Sequence, residues 1–166
     1  MRNMRALWVV YLLLLSICGF GQNSPKTTAQ SVRGHFASIN QRLLTMAKDF
    51  PEGKYDFKLM PEMRTFGAVL VHVVSGNIYA AKTGRGQSVN WDELDPKDYK
   101  GKDKIVALVE KSIADSEAAL KDIPDESLAK DVEPWMSVVE HSAEHYGLLV
   151  AYYRANGLVP PESRPK

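Results

Sequence analysis

Four segments of the chain carry apolar side chains at three- and four-residue spacing, the pattern of an amphipathic helix that buries one face. We predict helices over residues 31–49, 62–82, 102–121 and 134–156. Pro51 and Gly53 end the first, and Gly157 follows the last. The alternation typical of strands is sustained only at residues 69–74, where the surrounding pattern is helical. The sequence therefore predicts an all-α four-helix bundle, with an up-down-up-down or a crossover topology both open.

Two connections separate the later helices. Residues 83–100 are rich in Gly, Asn, Asp, Pro and Lys, which predicts a long loop. Loops of this length are uncommon in compact domains and are usually functional or mobile. Residues 122–133 contain Pro124 and are expected to include a short turn.

The N-terminus has the pattern of an export signal. Arg2 and Arg5 precede an apolar run over residues 6–15, and Gly19 and Gly21 suit a cleavage site before Gln22. We predict a signal peptide over residues 1–21, a polar leader over 22–30, a bundle domain over 31–163, and a periplasmic or secreted protein. The alternatives are a membrane anchor and lipidation at Cys18. The apolar run falls short of the roughly 20 residues that span a bilayer, and bulky Ile17 precedes the cysteine.

Composition narrows the chemistry further. The chain has 21 basic and 20 acidic residues, so it lacks the basic excess of a nucleic-acid-binding protein. Cleavage would remove Arg2 and Arg5, leaving 19 basic (21 minus 2) and 20 acidic residues, and would remove the one cysteine. The mature protein would then have no thiol nucleophile, thiolate ligand or disulfide.

Three of the four histidines form a candidate metal site. His141 and His145 are four residues apart on one helix face, and His72 lies on the apolar stripe of the second predicted helix. We expect all three to point into the bundle, where neutral imidazoles can bind zinc, nickel or iron. Three ligands leave a tetrahedral ion one open position, as in catalytic sites. The alternative is that they are core histidines. His35 lies off the first stripe and is expected to be partly exposed.

Glu144 is a candidate general base. The sequence from His141 to His145 matches the H-x-x-E-H pattern, in which the glutamate activates the water on a zinc ion. Peptidases of that class take a third metal ligand from far downstream. In this sequence the one acidic residue after His145 is Glu162. A peptidase is therefore disfavoured, and the alternative for Glu144 is a solvated helix flank.

Several other polar and aromatic side chains are candidates for the lining of the site. Packing is the alternative for each of them and is the expected role of Trp135. The candidates are Ser75, Asn77, Tyr79, Tyr152, Tyr153 and Arg154.

Two motifs carry a family resemblance. The segments 64–72 and 140–161, which hold His72 and the His141–His145 pair, are similar in order and spacing to the DinB/YfiT-like superfamily of metal-binding four-helix bundles. The resemblance covers residues 31–163 and implies one divalent cation held by these three histidines. Members include transferases that use small-molecule thiols, and the family similarity favours a homodimer. Export argues against a cytosolic thiol as cosubstrate.

Together these observations predict an exported metal-dependent hydrolase or transferase that acts on a small molecule. The alternative is a non-catalytic metal-binding or partner-binding protein of the cell envelope. We expect no nucleic-acid partner and no membrane span after cleavage.

Overall fold

The computed structural model describes residues 26–165. Its α-helices are α1 (Thr28–Asp49), α2 (Phe66–Gly84), α3 (Lys102–Asp122), α4 (Asp125–Lys130) and α5 (Glu133–Ala155). No strand occurs in this part of the chain, and the four long helices confirm the all-α four-helix bundle. None of the helices within residues 26–165 is long and apolar enough to cross a bilayer. The predicted signal peptide lies outside the described residues.

Helix α1 begins three residues earlier than predicted. Thr27 Oγ1 accepts a hydrogen bond from the backbone N–H of Gln30, and Gln30 Oε1 accepts one from the N–H of Thr27. This reciprocal capping box starts the helix inside the predicted polar leader. Ala29 is buried against the bundle, so residues 28–30 belong to the domain.

Helix α2 begins four residues later than predicted. Thr65 accepts a hydrogen bond from the backbone N–H of Ala68 and caps the helix at that point. Residues 62–65 instead form the approach to α2 beside the site described below. The predicted turn between α3 and α5 contains the short helix α4.

The long helices run up, down, down and up. Phe50 stacks on Phe66 with ring centroids 3.7 Å apart, and Asn77 Nδ2 donates to Asn40 Oδ1, so α1 and α2 are antiparallel. Ser116 Oγ donates to the backbone oxygen of Asn77, and Ile105 lies against Gly67, so α2 and α3 are parallel. Helices α1 and α2 each pack mainly against α3 and α5 and are therefore diagonal to one another.

This order decides the topology that the sequence left open. Because α2 and α3 are neighbouring parallel helices, the chain between them must return along the length of the bundle. Residues 85–101 make that return, and we call them the crossover loop. The predicted long loop is thus a structural requirement of this bundle.

The core consists of two apolar clusters with a polar layer at the level between them. One cluster surrounds Phe50 and Phe66, and the other surrounds Phe36 and Trp135, whose rings meet edge to face. The buried Asn40–Asn77 pair forms the polar layer. The candidate metal ligands lie near this level, on the seam between α2 and α5.

Candidate metal centre

The structure brings the three predicted histidines together. His72 lies on α2, and His141 and His145 lie one turn apart on the antiparallel helix α5. One ring nitrogen from each can be chosen so that all three lie within 4.8 Å of one another. The closest approach joins His72 Nε2 and His141 Nε2 at 3.0 Å.

The histidines lie at the edge of the buried face, which corrects the expectation that they point into the bundle interior. The buried face of α5 is formed by Trp135, Val138, Ser142, Leu149, Tyr152 and Tyr153. His141 and His145 flank this face and are partly buried. His72 is similarly placed, with 14% of its side chain exposed. The site is therefore accessible from the surface of the α2–α5 seam.

Hydrogen bonds orient two of the three rings. His72 Nδ1 lies 2.9 Å from Glu93 Oε1, and His145 Nδ1 lies 2.8 Å from the backbone oxygen of His141. Carboxylate and carbonyl oxygens only accept hydrogen bonds, so in the neutral rings Nδ1 carries the proton. Nε2 of His72 and of His145 then presents a lone pair. This is the arrangement of metal-binding histidines, whose second ring nitrogen donates to an oxygen.

Burial favours the neutral form of two of the imidazoles. It lowers the pKa of His141 to about 4, assisted by repulsion from His145 and His72. Burial also lowers the pKa of His72, although the hydrogen bond to Glu93 opposes this shift. Neutral imidazole is the form that binds a cation, so proton competition at these two rings is weak near neutral pH.

The donor set fits a divalent cation. A tetrahedral ion about 2.05 Å from each nitrogen places the nitrogens about 3.3 Å apart. The separations present, from 3.0 Å to at most 4.8 Å, lie on both sides of that value. His141 Nδ1 is buried and has no hydrogen-bond partner among residues 26–165. Three imidazoles suit zinc, nickel and iron alike, so the ligands do not select one metal.

Glu93 is a site residue that the sequence analysis missed, and Trp91 of the same loop is another. Glu93 lies in the crossover loop, where its Oε1 accepts hydrogen bonds from His72 and from Arg64 Nη2, each 2.9 Å long. Although burial raises the pKa of Glu93, these two hydrogen bonds hold it below its ordinary value. The only signal in the sequence was the length of the loop, because the position carries no periodic pattern.

Ser75 fixes this part of the loop against α2. Its buried Oγ accepts a hydrogen bond from the backbone N–H of Leu94 at 3.0 Å and donates to the backbone oxygen of Val71. Leu94 packs against the apolar cluster around Phe50 and Phe66. The loop therefore places Glu93 on His72 through an anchor on its neighbouring residue.

Two cavities flank the histidines. A cavity of about 350 Å³ borders His141 and is lined by Gly76, Tyr79, Trp91, Pro134, Ser137 and Val138. A second, of about 290 Å³, borders His145 and is lined by Glu62, Met63, Arg64, Val69, Leu148 and Tyr152. The Trp91 ring lies beside the histidines, with its centroid 6.0 Å from that of His72 and 5.8 Å from that of His141. A small molecule can thus reach the site from two sides.

The other candidate side chains are exposed, line one of the two cavities or pack in the core. Glu144 is exposed on α5 and does not contact the histidine rings through a hydrogen bond of its carboxylate. Asn77 is committed to Asn40 in the core, and Tyr153 is buried with its hydroxyl donating to Met46 and Asp49. Tyr79 and Tyr152 line the two cavities, although the Tyr152 ring is itself fully buried.

The remaining three candidates lie away from the histidines. Arg154 and His35 are exposed. Trp135 is buried against Phe36 and Gly84, in agreement with the packing role expected of it.

Comparison with known proteins agrees with these observations. The sequence model of the DinB superfamily matches residues 35–153, which are 119 of the 166 residues. The chain belongs to the DinB superfamily. Comparison with curated proteins gives no match. The superfamily assignment confirms the resemblance expected from the two histidine-containing motifs, and in this DinB protein all three histidines of that resemblance are present and meet.

Proposed function

We propose that this DinB protein is an exported enzyme that uses a divalent cation, held by His72, His141 and His145, to act on a small molecule. The observation that supports this most directly is the convergence of three imidazoles, two with Nδ1 directed at an oxygen acceptor. A bound cation would polarise a substrate or lower the pKa of a coordinated water. The reaction class is hydrolysis or group transfer.

The surroundings support an enzyme over a purely structural metal site. Three protein ligands leave a four-coordinate ion one position for water or substrate, whereas structural zinc sites have four protein ligands. The two cavities beside the histidines have volumes near the lower end of the range for small-molecule sites. Glu93 is placed to orient His72, and Glu144 remains a proposed general base on the exposed side of α5.

Metal analysis of the mature protein tests the metal site. We expect one equivalent of zinc after loading and dialysis, and its loss in His141→Ala. His35→Ala is the matched control, because His35 is exposed and lies away from the site. Absence of metal from the wild-type protein, or equal retention in His141→Ala, would overturn the metal site.

The open position is tested by replacing zinc with cobalt. Visible absorption of Co²⁺ depends on its coordination, so azide should change the spectrum if a position is available. A spectrum that does not respond to azide would count against catalysis and favour a non-catalytic metal-binding protein of the cell envelope.

Export is proposed from the pattern of residues 1–21. Expression of the whole chain in a bacterial host should give a periplasmic or secreted product whose N-terminal residue is Gln22. An uncleaved product, or one lipid-modified at Cys18, would contradict this. The family resemblance also favours a homodimer, which sedimentation of the mature protein can test.

A further inference from the structure

We propose that the substrate of this centre carries a planar apolar group, which binds in the cavity beside His141. We call this the aromatic cavity, and its walls are Tyr79, Trp91, Pro134 and Val138. The proposal rests on the proposed metal-dependent function and adds the chemical class of the substrate. It places the apolar group against α5 and the reactive group near the imidazoles.

The walls of the aromatic cavity are suited to a flat group. The Trp91 and Tyr79 rings lie 5.7 Å apart between centroids, and Val138 and Pro134 supply aliphatic surface from α5. The volume of about 350 Å³ accommodates one ring system with a short substituent. The polar groups in the wall are few, which favours an apolar ligand over a sugar or a peptide.

Trp91 is exposed to an unusual degree for a large aromatic residue at a site. It is 46% exposed, although it lies beside two of the three histidines. The loop that carries it is fixed at Leu94 by Ser75. An anchored loop that presents an aromatic face to a cavity is typical of a binding wall, since a packing role would bury that face.

Gly76 keeps space between α2 and His141. A Cβ atom at this position would lie 3.0 Å from His141 Nδ1 and 3.5 Å from Val138 Cγ2. Any side chain on α2 at this level would therefore push against His141 and the wall of the cavity. The glycine brings the floor of the aromatic cavity into direct contact with a candidate metal ligand.

The cavity beside His145 does not provide the same environment. Glu62 and Arg64 place charges of both signs in its wall, beside Met63 and Leu148. Burying an apolar ring there would desolvate charged groups without satisfying them. We therefore assign the apolar group of the substrate to the cavity beside His141.

A pair of hydroxamates tests this assignment. Acetohydroxamate and benzohydroxamate share the same metal-binding head and differ in a methyl or a phenyl group. With the zinc-loaded protein, we expect benzohydroxamate to bind more tightly by about tenfold or more, because the phenyl ring loses apolar surface to water only if a cavity receives it. Calorimetric titration measures both affinities.

Variants test whether the preference for benzohydroxamate arises in the aromatic cavity. Trp91→Ala and Tyr79→Ser should each reduce the benzohydroxamate preference while leaving the affinity for acetohydroxamate unchanged. Met136→Ala is the matched control, because Met136 is an exposed apolar residue on the same turn of α5 that does not line the cavity. Unchanged acetohydroxamate binding also shows that a variant has retained its folded metal centre.

The possible results separate the two proposals. Equal affinity for the two hydroxamates, or a preference that survives both variants, would overturn the aromatic assignment and leave the metal centre standing. Failure of the protein to bind zinc would overturn the proposed function itself. Binding of benzohydroxamate to the metal-free protein with the same affinity would overturn the placement of the apolar group next to a metal-bound head.

Discussion

The Nδ1–H of His72 donates a 2.9 Å hydrogen bond to Oε1 of Glu93, although 21 positions separate the two residues along the chain. His72 belongs to the rigid helix α2, whereas Glu93 lies in the crossover loop. Arg64, in the segment that leads into α2, donates a hydrogen bond to the same carboxylate oxygen. A loop carboxylate therefore sets which nitrogen of a candidate metal ligand is available.

Replacement of Glu93 should weaken metal binding without removing it. In Glu93→Gln, His72 loses a charged acceptor, and we expect zinc affinity to fall by roughly 10- to 100-fold, the usual effect of removing such an outer partner. Competition with a chromophoric chelator measures the affinity. Glu117→Gln is the matched control, since Glu117 is exposed on α3, which is not part of the α2–α5 seam. Equal affinities in the two variants would show that Glu93 does not orient His72.

The fluorescence of Trp91 should report metal binding. Its ring centroid lies 6.0 Å from that of His72 and 5.8 Å from that of His141. Copper(II) or cobalt(II) bound at the histidines should therefore quench Trp91 strongly. A protein that begins at Gln22 contains Trp91 and the buried Trp135 as its tryptophans, and Trp91→Phe should abolish most of the quenching. Quenching that persists in Trp91→Phe would place the ion elsewhere.

Gly76→Ala should damage the metal site more than the fold. The added Cβ would lie 3.0 Å from His141 Nδ1 and 3.2 Å from its Cε1, so the imidazole must shift. We expect weaker zinc binding in the variant, measured by the same competition assay. Gly147→Ala is the control on α5, where a Cβ meets no atom within 4 Å. It should retain zinc and raise the free energy of unfolding by about 0.5–1 kcal/mol, because alanine is the better helix former.

Asp49 should contribute a pH-dependent part of the stability. The Arg164 guanidinium donates to both oxygens of this carboxylate and, with the Tyr153 hydroxyl, holds the pKa of Asp49 below its ordinary value. A lowered pKa means that this stabilisation is present above roughly pH 4 and is lost as the pH falls through the pKa of the folded protein.

NMR titration measures the pKa of Asp49. Thermal unfolding below about pH 5 measures the stability that is lost as this carboxylate becomes protonated. Arg164→Met should raise the pKa of Asp49 towards its ordinary value and flatten this part of the pH profile. Arg154→Met is the control, since Arg154 is exposed on α5 and makes no ion pair with a described residue. The same profile in both variants would contradict the role of Arg164.

The helices could be predicted because each depends on local periodicity. The stripe Val32, Phe36, Leu43 and Met46 predicted α1, and these residues are buried in the bundle. The helix starts were less accurate. Thr27 and Thr65 begin their helices through capping hydrogen bonds, which the apolar pattern does not show.

The order of the helices could not be predicted. Apolar stripes show that each helix is buried on one side and do not identify the partner. The contacts Asn40–Asn77 and Phe50–Phe66 make α1 antiparallel to α2, and the packing of both helices on α3 and α5 makes them diagonal.

Local patterns in the chain were enough to identify the three imidazoles as a group. The four-residue spacing of His141 and His145 fixes their common helix face, and the apolar surroundings of His72 place it at a packed seam. The groups that surround these imidazoles depend on how the helices pack. Glu93 and Trp91 reach the histidines because α2 and α3 are parallel, which forces the loop between them back along the bundle and past this seam. Helical spacing is a local property of the chain, whereas the path of a loop depends on how the helices pack.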